Sequence, residues 1–375
     1  MDFERILIPY LSVGSGHEIA ARAIEQALKK IGKTEVYLLD PFATISDTIP
    51  LLLDKLQLLS ISLVPGLYDA LWRQGTPGNL FERFAELTPL QEIIASVVEE
   101  YHPDAIIATH VLPCALAANL KERNQGIERV YGVVTDFDLH SYWPTSEIDG
   151  YFVAHNDLKN LLFYRGVNPS IVHVTGIPLR SNFERAVNKS RTLGRKNKLR
   201  VSIVAGGLRG GAYVKVRHDI INLLTELTNL SQRYRDSLSV KIILGKSVEL
   251  KEKLISYQSS FAGFDVLGFT ENMYEILMAS DLLVCKPGGL IVAEALACGV
   301  GLILFHPGPG QERGNVHFLA RHGVAMCGES PEDIARVIRM CIDDWFIVDE
   351  MKAKAYRLGK PKSAMQLAKI VLSNV

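Results

Sequence analysis

The stretch that decides the fold runs from residue 285 to residue 315 and reads CKPGGLIVAEALACGVGLILFHPGPGQERGN. It leaves an apolar strand, passes through a glycine-rich loop into a short helix with one carboxylate, Glu294, and enters a second apolar strand. A Pro/Gly loop then leads to Gln311 and Glu312. Backbone N–H groups at a helix start favour phosphate, and a helix carboxylate accepts from a ribose diol. The stretch predicts a βαβ unit suited to a nucleotide-sugar, with glycines that only turn the chain as the alternative.

Short β-branched runs alternate with helical patterns on both sides of this stretch. Such alternation is typical of parallel sheets with helices on both faces. Glycine and proline at Thr175–Arg180 separate two series of strands, which indicates an α/β protein with two Rossmann-like domains, residues 1–177 and 178–375. The last helix is expected to cross back to the first domain. The predicted strands are 5–9, 35–39, 105–108, 129–134, 151–153 and 171–174, then 200–204, 240–244, 264–267, 281–284 and 301–305.

An apolar segment at about residues 50–100 interrupts the first series of strands. It is rich in leucine and carries Trp72, and it is too long for an ordinary crossover between two strands. Such a segment can dip into a membrane interface or form a pocket for an apolar acceptor. The alternative is a set of helices that pack on the sheet.

Composition excludes several classes of protein. The chain has 375 residues with 48% hydrophobic and 22% charged content, enough to bury a large core. Lys+Arg and Asp+Glu are balanced at 41 each, so no global field recruits nucleic acid. The five cysteines form no C-x-x-C pair and indicate buried thiols in a reducing compartment. The sequence starts without signal-peptide features, and no segment is apolar enough to span a bilayer, so we expect a cytoplasmic protein, peripheral to the inner face of the membrane.

The first candidate site is the loop that follows the first strand, with Gly14, Ser15, Gly16 and His17 at the start of a helix. Glycines let a backbone approach a ligand, and a helix start favours negative charge. A dinucleotide fingerprint would need a glycine at position 19, where this chain has Ile19. An imidazole at His17 can accept a proton from an attacking hydroxyl. The alternative for His17 is a helix cap without a chemical role.

Two further loops complete the set of candidate sites. Thr135–Trp143 follows the fourth predicted strand, and it offers Asp136 and His140, which we expect to orient His17 or contact an acceptor hydroxyl. Trp143 is either a wall for the acceptor or part of the core.

The third candidate site is the loop 205–211, which carries four glycines, among them Gly206 and Gly207, together with Arg209. This composition predicts an anion-binding nest at a helix start.

Six motifs in order resemble a known family. They are GSGH, TDFxLH, TGIPxR, LGK, KPGG and PGPGQE, and they span nearly the whole chain. The combination resembles the monogalactosyldiacylglycerol synthase and processive diacylglycerol glucosyltransferase family, relatives of the peptidoglycan N-acetylglucosaminyltransferase. The resemblance implies a GT-B fold, in which two Rossmann-like domains face each other across a cleft. It also implies a UDP-sugar donor bound by the C-terminal domain.

The resemblance assigns roles to particular residues. Glu294 would bind the ribose hydroxyls, and Arg180 would lie near the diphosphate. His17 would be the general base on the acceptor side, with Asp136 as its neighbour. The loop at 208–211 departs from the relatives, as does Gly301, which replaces a proline. The remaining implied donor contacts are Phe269 and Thr270 beside the uracil, Gly288 and Gly289 against the nucleotide, and Gln311, Glu312 and Asn315 at the sugar.

The expected activity is inverting transfer of a hexose from a UDP-sugar to a hydroxyl of diacylglycerol or glycosyl-diacylglycerol at the membrane, without a metal. UDP-glucose, UDP-galactose and UDP-N-acetylglucosamine remain open as donors, and non-glycerolipid acceptors remain open as well. A UDP-sugar epimerase of the same two-domain architecture is the enzymatic alternative. A non-catalytic UDP-sugar sensor is the alternative without enzymatic activity.

Overall fold

The computed structural model describes residues 5–12, 16–45, 89–188, 198–205, 212–234, 237–245, 254, 264–308 and 310–373. The chain divides into two compact units, the first with residues 1–184, 309–311 and 362–375, the second with residues 185–308 and 312–361. Each unit contains one sheet of six strands among the described residues. The predicted α/β class with two Rossmann-like domains is therefore confirmed. The first unit extends to Glu184, whereas the sequence placed its end at residue 177.

The sheet of the first unit is parallel throughout. Its strands are β1 (Arg5–Pro9), β2 (Glu35–Leu39), β3 (Ala105–Ala108), β4 (Arg129–Val133), β5 (Gly150–Phe152) and β6 (Val172–His173). They lie in the order β2-β1-β3-β4-β5-β6. Consecutive strand residues point to opposite faces, and Ile6, Leu7 and Ile8 are all fully buried, so both faces of β1 are covered.

Helices connect these strands. They are α1 (Gly16–Ile31), α2 (Pro41–Ile45), α3 (Pro89–Tyr101), α4 (Val111–Glu122) and α5 (Asn156–Tyr164). α1 illustrates why they form: Ala20, Ile24, Ala27 and Leu28 recur at helical spacing and are buried. Glu18 in its first turn and lysines in its last turn complement the helix dipole.

The sheet of the second unit is also parallel. Its strands are β7 (Leu199–Val204), β8 (Leu238–Ile243), β9 (Phe264–Leu267), β10 (Leu282–Cys285), β11 (Gly301–Phe305) and β12 (Ala325–Gly328). The order β12-β11-β10-β7-β8-β9 is the Rossmann order read from the other edge. β12 was not predicted, because its residues Ala-Met-Cys-Gly include no β-branched or aromatic side chain and Cys327 is exposed.

The helices of the second unit are α6 (Ala212–Arg233), α7 (Met273–Met278), α8 (Gly289–Ala297), α9 (Gln311–Arg321), α10 (Pro331–Asp343) and α11 (Trp345–Leu358). Side chains stop and start the last two. Ser330 accepts from the backbone of Asp333 at the start of α10, with Pro331 in the first turn. Asp344 ends α10 and accepts from the backbone of Phe346 at the start of α11.

The final helix, α12 (Ser363–Ser373), packs in the first unit and not in the second. Its Leu367, Ala368 and Val371 share a buried cluster with Ile24 and Leu28 of α1. At the start of α12 the Ser363 hydroxyl accepts a hydrogen bond from the backbone of Leu179 at 3.1 Å. The C-terminal helix is thus an integral part of the core around β1.

Strand order determines where ligands can bind in each sheet. In open parallel sheets, ligands bind beyond the carboxyl ends of strands where the order reverses. In the first sheet this switch point lies between β1 and β3, and in the second between β7 and β10. The segments beyond these ends contain His17, Thr109, the loop 205–211 and Lys286–Gly288.

The predicted apolar insertion lies mostly at residues 46–88, outside the described residues. Its last part is α3, whose Leu90, Ile94 and Val98 are buried, so this portion packs in the core. Among the helices that the structure describes, none combines the length and the apolar character needed to cross a membrane.

The glycine at position 301 has a packing reason. Gly301 begins β11, and a Cβ there would lie 2.9 Å from Leu282 and 3.1 Å from the Cβ of Met351 on α11. The helix can approach the strand this closely only because the side chain is absent.

A buried carboxylate ties α11 to the sheet of the second unit. Asp281 precedes β10 and its side chain is 0% exposed. It accepts from the guanidinium of Arg200 at 2.9 and 3.0 Å and from Nζ of Lys352 at 2.8 Å. Burial alone would raise the pKa of the Asp281 carboxyl, but these hydrogen bonds and charges together hold it well below its ordinary value.

We expect Asp281→Asn to lower the free energy of unfolding of the second unit by about 3–5 kcal/mol at pH 7, because two cations lose their partner. The folded-state pKa of Asp281 lies below its unfolded value of about 3.9. Its contribution is therefore complete above that pH and is lost as the pH falls through the acid range. Urea unfolding followed by circular dichroism from pH 7 to pH 3 measures both effects.

Asp265→Asn is the matched control, since Asp265 forms an exposed pair with Lys241 at 3.5 Å in the same sheet. Its removal should cost at most about 1 kcal/mol. The role given to Asp281 would be contradicted if both variants lost the same free energy of unfolding. It would also be contradicted if the difference in this free energy between Asp281→Asn and the unsubstituted chain stayed constant down to pH 3.

Candidate active site

His17 lies in the first turn of α1, beside the switch point of the first sheet. Its Nδ1 lies 2.8 Å from the carbonyl oxygen of Thr109 and 3.1 Å from Oγ1 of Thr135. A carbonyl oxygen only accepts, so we assign the ring proton to Nδ1, which donates to Thr109. The Thr109 hydroxyl donates in return to the carbonyl of His17 at 3.2 Å. In this tautomer Nε2 is the basic nitrogen.

Burial determines the charge of the His17 ring. The ring lies deep among protein atoms although part of the residue is exposed, and this burial lowers the pKa of His17, partly opposed by the hydrogen bond to Thr109. With a pKa below the ordinary value of about 6.5, the ring is neutral at pH 7. A neutral imidazole with a fixed Nδ1–H can take up a proton at Nε2.

His110, which the sequence analysis did not single out, adjoins His17. The centroids of the two rings are 4.7 Å apart and their planes are nearly perpendicular at 83°. His110 is the N-cap of α4, where its Nδ1 accepts from the backbone N–H of Leu112 at 3.1 Å. Burial, with smaller contributions from His17 and His140, lowers the pKa of His110 well below its ordinary value. His110 is therefore neutral as well.

Arg165, at the end of α5, fixes the loop that carries His140. Its guanidinium donates to the carbonyl oxygens of His140 at 2.9 Å, of Trp143 at 3.0 Å and of Ser141. Within the loop, Nδ1 of His140 accepts from the backbone of Tyr142 at 3.1 Å. Burial, reinforced by the Arg165 charge, lowers the pKa of His140 to about 3. The loop therefore presents a third neutral imidazole.

Two predicted acceptor-side residues lie in different surroundings. Trp143 is 6% exposed and packs edge-on against Tyr151 at 5.9 Å, so its ring belongs to the core, and the structure does not support an acceptor wall there. Asp136 is partly exposed. Both predicted roles of Asp136, orienting His17 or contacting an acceptor hydroxyl, stay predictions. Gly16 begins α1, whereas Gly14 and Ser15 lie outside the described residues.

In the second unit, the loop after β10 leads into α8 as predicted. Gly288 precedes the helix with φ −72°, an ordinary value, and its N–H donates to the carbonyl of Lys286 at 2.9 Å. Among the described residues, a Cβ at Gly288 would come within 4 Å only of Ile291, at 3.8 Å. Neither the backbone conformation nor packing against these residues requires glycine here. Gly289 is the first residue of α8, and Glu294 lies within α8 at 4% exposure.

α9 brings Glu312 and Asn315 to the same loop. One carboxylate oxygen of Glu312 accepts from the backbone N–H of Gly308 and lies 3.4 Å from Nζ of Lys286. Asn315 is 0% exposed, and its Nδ2 donates to the carbonyl of Pro287 at 2.8 Å. Full burial leaves Asn315 no surface for a sugar. Its predicted sugar contact is therefore not supported by the structure.

The other predicted donor contacts are distributed as follows. Phe269 is 62% exposed, and the hydroxyl of Thr270 accepts from the backbone of Asn272 at 3.1 Å. Gln311 is partly exposed at the start of α9. Arg180 belongs to the first unit, with its guanidinium 6.0 Å from the ring of Phe183. Gly206, Gly207 and Arg209 lie outside the described residues.

Several contacts at the site had only a weak signal in the sequence. Thr109 and His110 directly follow β3, and polar residues beyond a buried strand mark the carboxyl edge of a parallel sheet. The position of these two residues directly after a buried strand was the signal in the sequence that could have identified them. The pairing of Lys286 with Glu312 joins residues from separate loops, and no local pattern predicts it.

Comparison with known families supports both halves of the chain. Residues 17–179 match the model of monogalactosyldiacylglycerol (MGDG) synthase, and residues 216–355 match that of the glycosyltransferase family 28 C-terminal domain. The processive diacylglycerol beta-glucosyltransferase of Bacillus cereus (strain AH820) is 27% identical over 376 residues, which cover 98% of this chain and 93% of that protein.

Solved structures share the fold at low identity. MurG of Acinetobacter baumannii superimposes with a TM-score of 0.64 at 15% identity, over 99% of this chain and 100% of the other. The UDP-GlcNAc 2-epimerase from Neisseria meningitidis, bound to UDP-GlcNAc, superimposes with a TM-score of 0.62 at 13% identity, over 99% of this chain and 100% of the other. The fold is therefore of the GT-B type. The chain therefore carries a region that matches monogalactosyldiacylglycerol synthase and a glycosyltransferase family 28 C-terminal domain, and it is a sugar-nucleotide-dependent glycosyltransferase.

Proposed function

We propose that this enzyme transfers a hexose from a UDP-sugar to a hydroxyl of diacylglycerol or glycosyl-diacylglycerol, with inversion at the anomeric carbon. The observation that carries the proposal is the state of His17. Its Nδ1 is fixed by the carbonyl of Thr109 at 2.8 Å, and its ring is neutral, so Nε2 is ready to accept a proton.

In the proposed step, Nε2 of His17 removes the proton of the acceptor hydroxyl while the acceptor oxygen bonds to the anomeric carbon. The bond from that carbon to the phosphate oxygen breaks, and UDP leaves with the electron pair. A single displacement of this kind inverts the configuration at carbon. Arg180 and Arg209 are the cations proposed for the departing diphosphate. Transfer without a metal is part of the proposal.

The donor half of the proposal rests on α8 and its preceding loop. Since neither its φ nor its packing accounts for Gly288, approach of a ligand to the backbone is the reason we give for this glycine. The N–H groups at the start of α8 suit a phosphate. We assign the ribose hydroxyls to the carboxylate of Glu294, and the sugar to Gln311 and Glu312.

The lipid acceptor is proposed from the relatives, whose names specify diacylglycerol. A membrane lipid has to be met at a membrane surface, so we propose that the enzyme works peripherally on the cytoplasmic face. The apolar residues of the predicted insertion are the segment that we expect to contact lipid.

Release of UDP from a panel of UDP-sugars tests the proposed function. With UDP-glucose, UDP-galactose and UDP-N-acetylglucosamine, each with and without diacylglycerol vesicles, we expect one sugar to give rapid release only with vesicles. EDTA should leave the rate unchanged. An epimerised or hydrolysed donor without vesicles, or equal release in their absence, would contradict transfer to a lipid.

His17→Asn should lower kcat by about 10² to 10⁴-fold, because the side chain amide can still donate to Thr109 but cannot act as a base. His322→Asn is the matched control: Nδ1 of His322 also lies 2.8 Å from a backbone carbonyl oxygen, that of Phe318, in the second unit. The kcat of His322→Asn should match that of the unsubstituted enzyme.

The pH dependence of kcat/KM checks the same assignment. A base acts only when deprotonated, and the pKa of His17 is lowered. The midpoint of the acid limb in the pH profile of kcat/KM should therefore lie below about 6.5, the ordinary pKa of histidine. Near-full turnover of His17→Asn, or an acid limb at or above 6.5, would disprove the role of His17.

Glu294→Gln should weaken binding of UDP by about tenfold or more, because a hydrogen bond to a charged group contributes roughly 1.5–3 kcal/mol. Calorimetry with UDP and with 2′-deoxy-UDP isolates the ribose contact. The unsubstituted enzyme should prefer UDP, and the variant should lose that preference. A preference of equal size in both proteins would assign the ribose to other residues.

A further inference from the structure

His110 has a place in the fold that helix capping alone does not explain. It precedes α4 and accepts from the backbone of Leu112, which satisfies one N–H at the helix start. The residues that cap helices best are Asn, Asp, Ser and Thr, all smaller than histidine. The additional property of the imidazole is its ring, which lies against His17 with 4.7 Å between centroids.

The cap also fixes the orientation of this ring. Because Nδ1 of His110 accepts from Leu112 at 3.1 Å, it holds no proton, and the proton of the neutral ring is on Nε2. The preceding residue, Thr109, receives the Nδ1–H of His17 on its carbonyl and donates its hydroxyl to the His17 carbonyl. The dipeptide Thr109–His110 therefore contacts His17 in three ways from one rigid helix start.

We propose that His110 is a positioning residue for His17: its capped ring forms the wall that excludes water from the His17 imidazole and holds Nε2 in the orientation needed for proton transfer. This inference rests on the proposed function for its catalytic meaning. The arrangement itself does not depend on that function.

Charges around the pair are consistent with this role. The titratable groups that act on His110 are His17 and His140, the latter from the loop after β4, and burial keeps His140 neutral, with a pKa of about 3. Burial is the cause that lowers the pKa of His17, and the His110 ring is part of what buries it. Removing this ring should therefore admit water and move the pKa of His17 upward.

The test is a pair of substitutions that keep the helix cap. Asparagine and aspartate both cap well, so His110→Asn should fold with a nearly unchanged unfolding midpoint, whereas the buried carboxylate of His110→Asp should lower the midpoint. NMR titration of the histidine ring protons, without any substrate, should show the pKa of His17 rising toward about 6.5 in His110→Asn. It should rise further in His110→Asp, since an adjacent negative charge favours the imidazolium.

Kinetics supply the second readout. With UDP-sugar and diacylglycerol vesicles, kcat of His110→Asn should fall by about 10-fold to 100-fold through misplacement of the base, while KM for the UDP-sugar stays constant. The acid limb of kcat/KM should move upward together with the NMR value. His173→Asn is the control: this ring stacks on Phe152 at 5.4 Å, its pKa is also lowered, mainly by burial, and it lies on β6 at the edge of the sheet.

Different results would overturn the positioning role of His110 and the proposed transfer to lipid. If the pKa of His17 is unchanged in both cap-preserving variants, His110 does not position His17, whatever reaction the enzyme performs. If His110→Asn does not fold, His110→Ser provides the same neutral comparison with a smaller cap. If the pKa rises as expected but no sugar is transferred to lipid, the positioning holds and the proposed function is wrong.

Discussion

Parallel pairing of every described strand is the constraint on which the rest of this enzyme depends. Parallel strands require crossovers, and these bring all carboxyl ends of a sheet to one edge. Residues distant in sequence then become neighbours, as His17 and Thr109 do at the carboxyl ends of β1 and β3. The same rule brings the Lys286–Gly288 loop beside the carboxyl end of β7.

In the proposed mechanism His17 acts as a base without a carboxylate partner on its Nδ1 among the residues that the structure describes. An Asp–His pair would stabilise the imidazolium and raise the pKa of the histidine. Here the Nδ1 partners are a backbone carbonyl and a threonine hydroxyl, both uncharged, and burial lowers the pKa instead. The result is a weaker base that is nevertheless fully deprotonated at neutral pH. Such a base suits a reaction in which the proton moves late, as the acceptor oxygen is already bonding to carbon.

The sequence predicted most of the fold because periodicity is local. The eleven predicted runs all form strands, with ends shifted by one or two residues in several cases, whereas the twelfth strand lacks the β-branched residues that marked most of the others. Site residues at strand ends, such as His17, were recognisable from position. The burial of Asn315 was not predicted, since its partner Pro287 lies in a separate loop. Trp143 packs in the core against Tyr151, which was one of the two alternatives predicted for it. His110 was missed because its importance comes from a ring 93 positions away.

The return of α12 to the first unit has a consequence for biosynthesis. Leu367, Ala368 and Val371 complete the cluster around Ile24 and Leu28, so that cluster joins the first and the last of the described helices. During translation α1 emerges early, yet its apolar face is covered only after the second unit and α12 have been made. Contacts of such long sequence separation form slowly. The second unit, which is nearly contiguous in sequence, can complete its core first, and the first unit closes last.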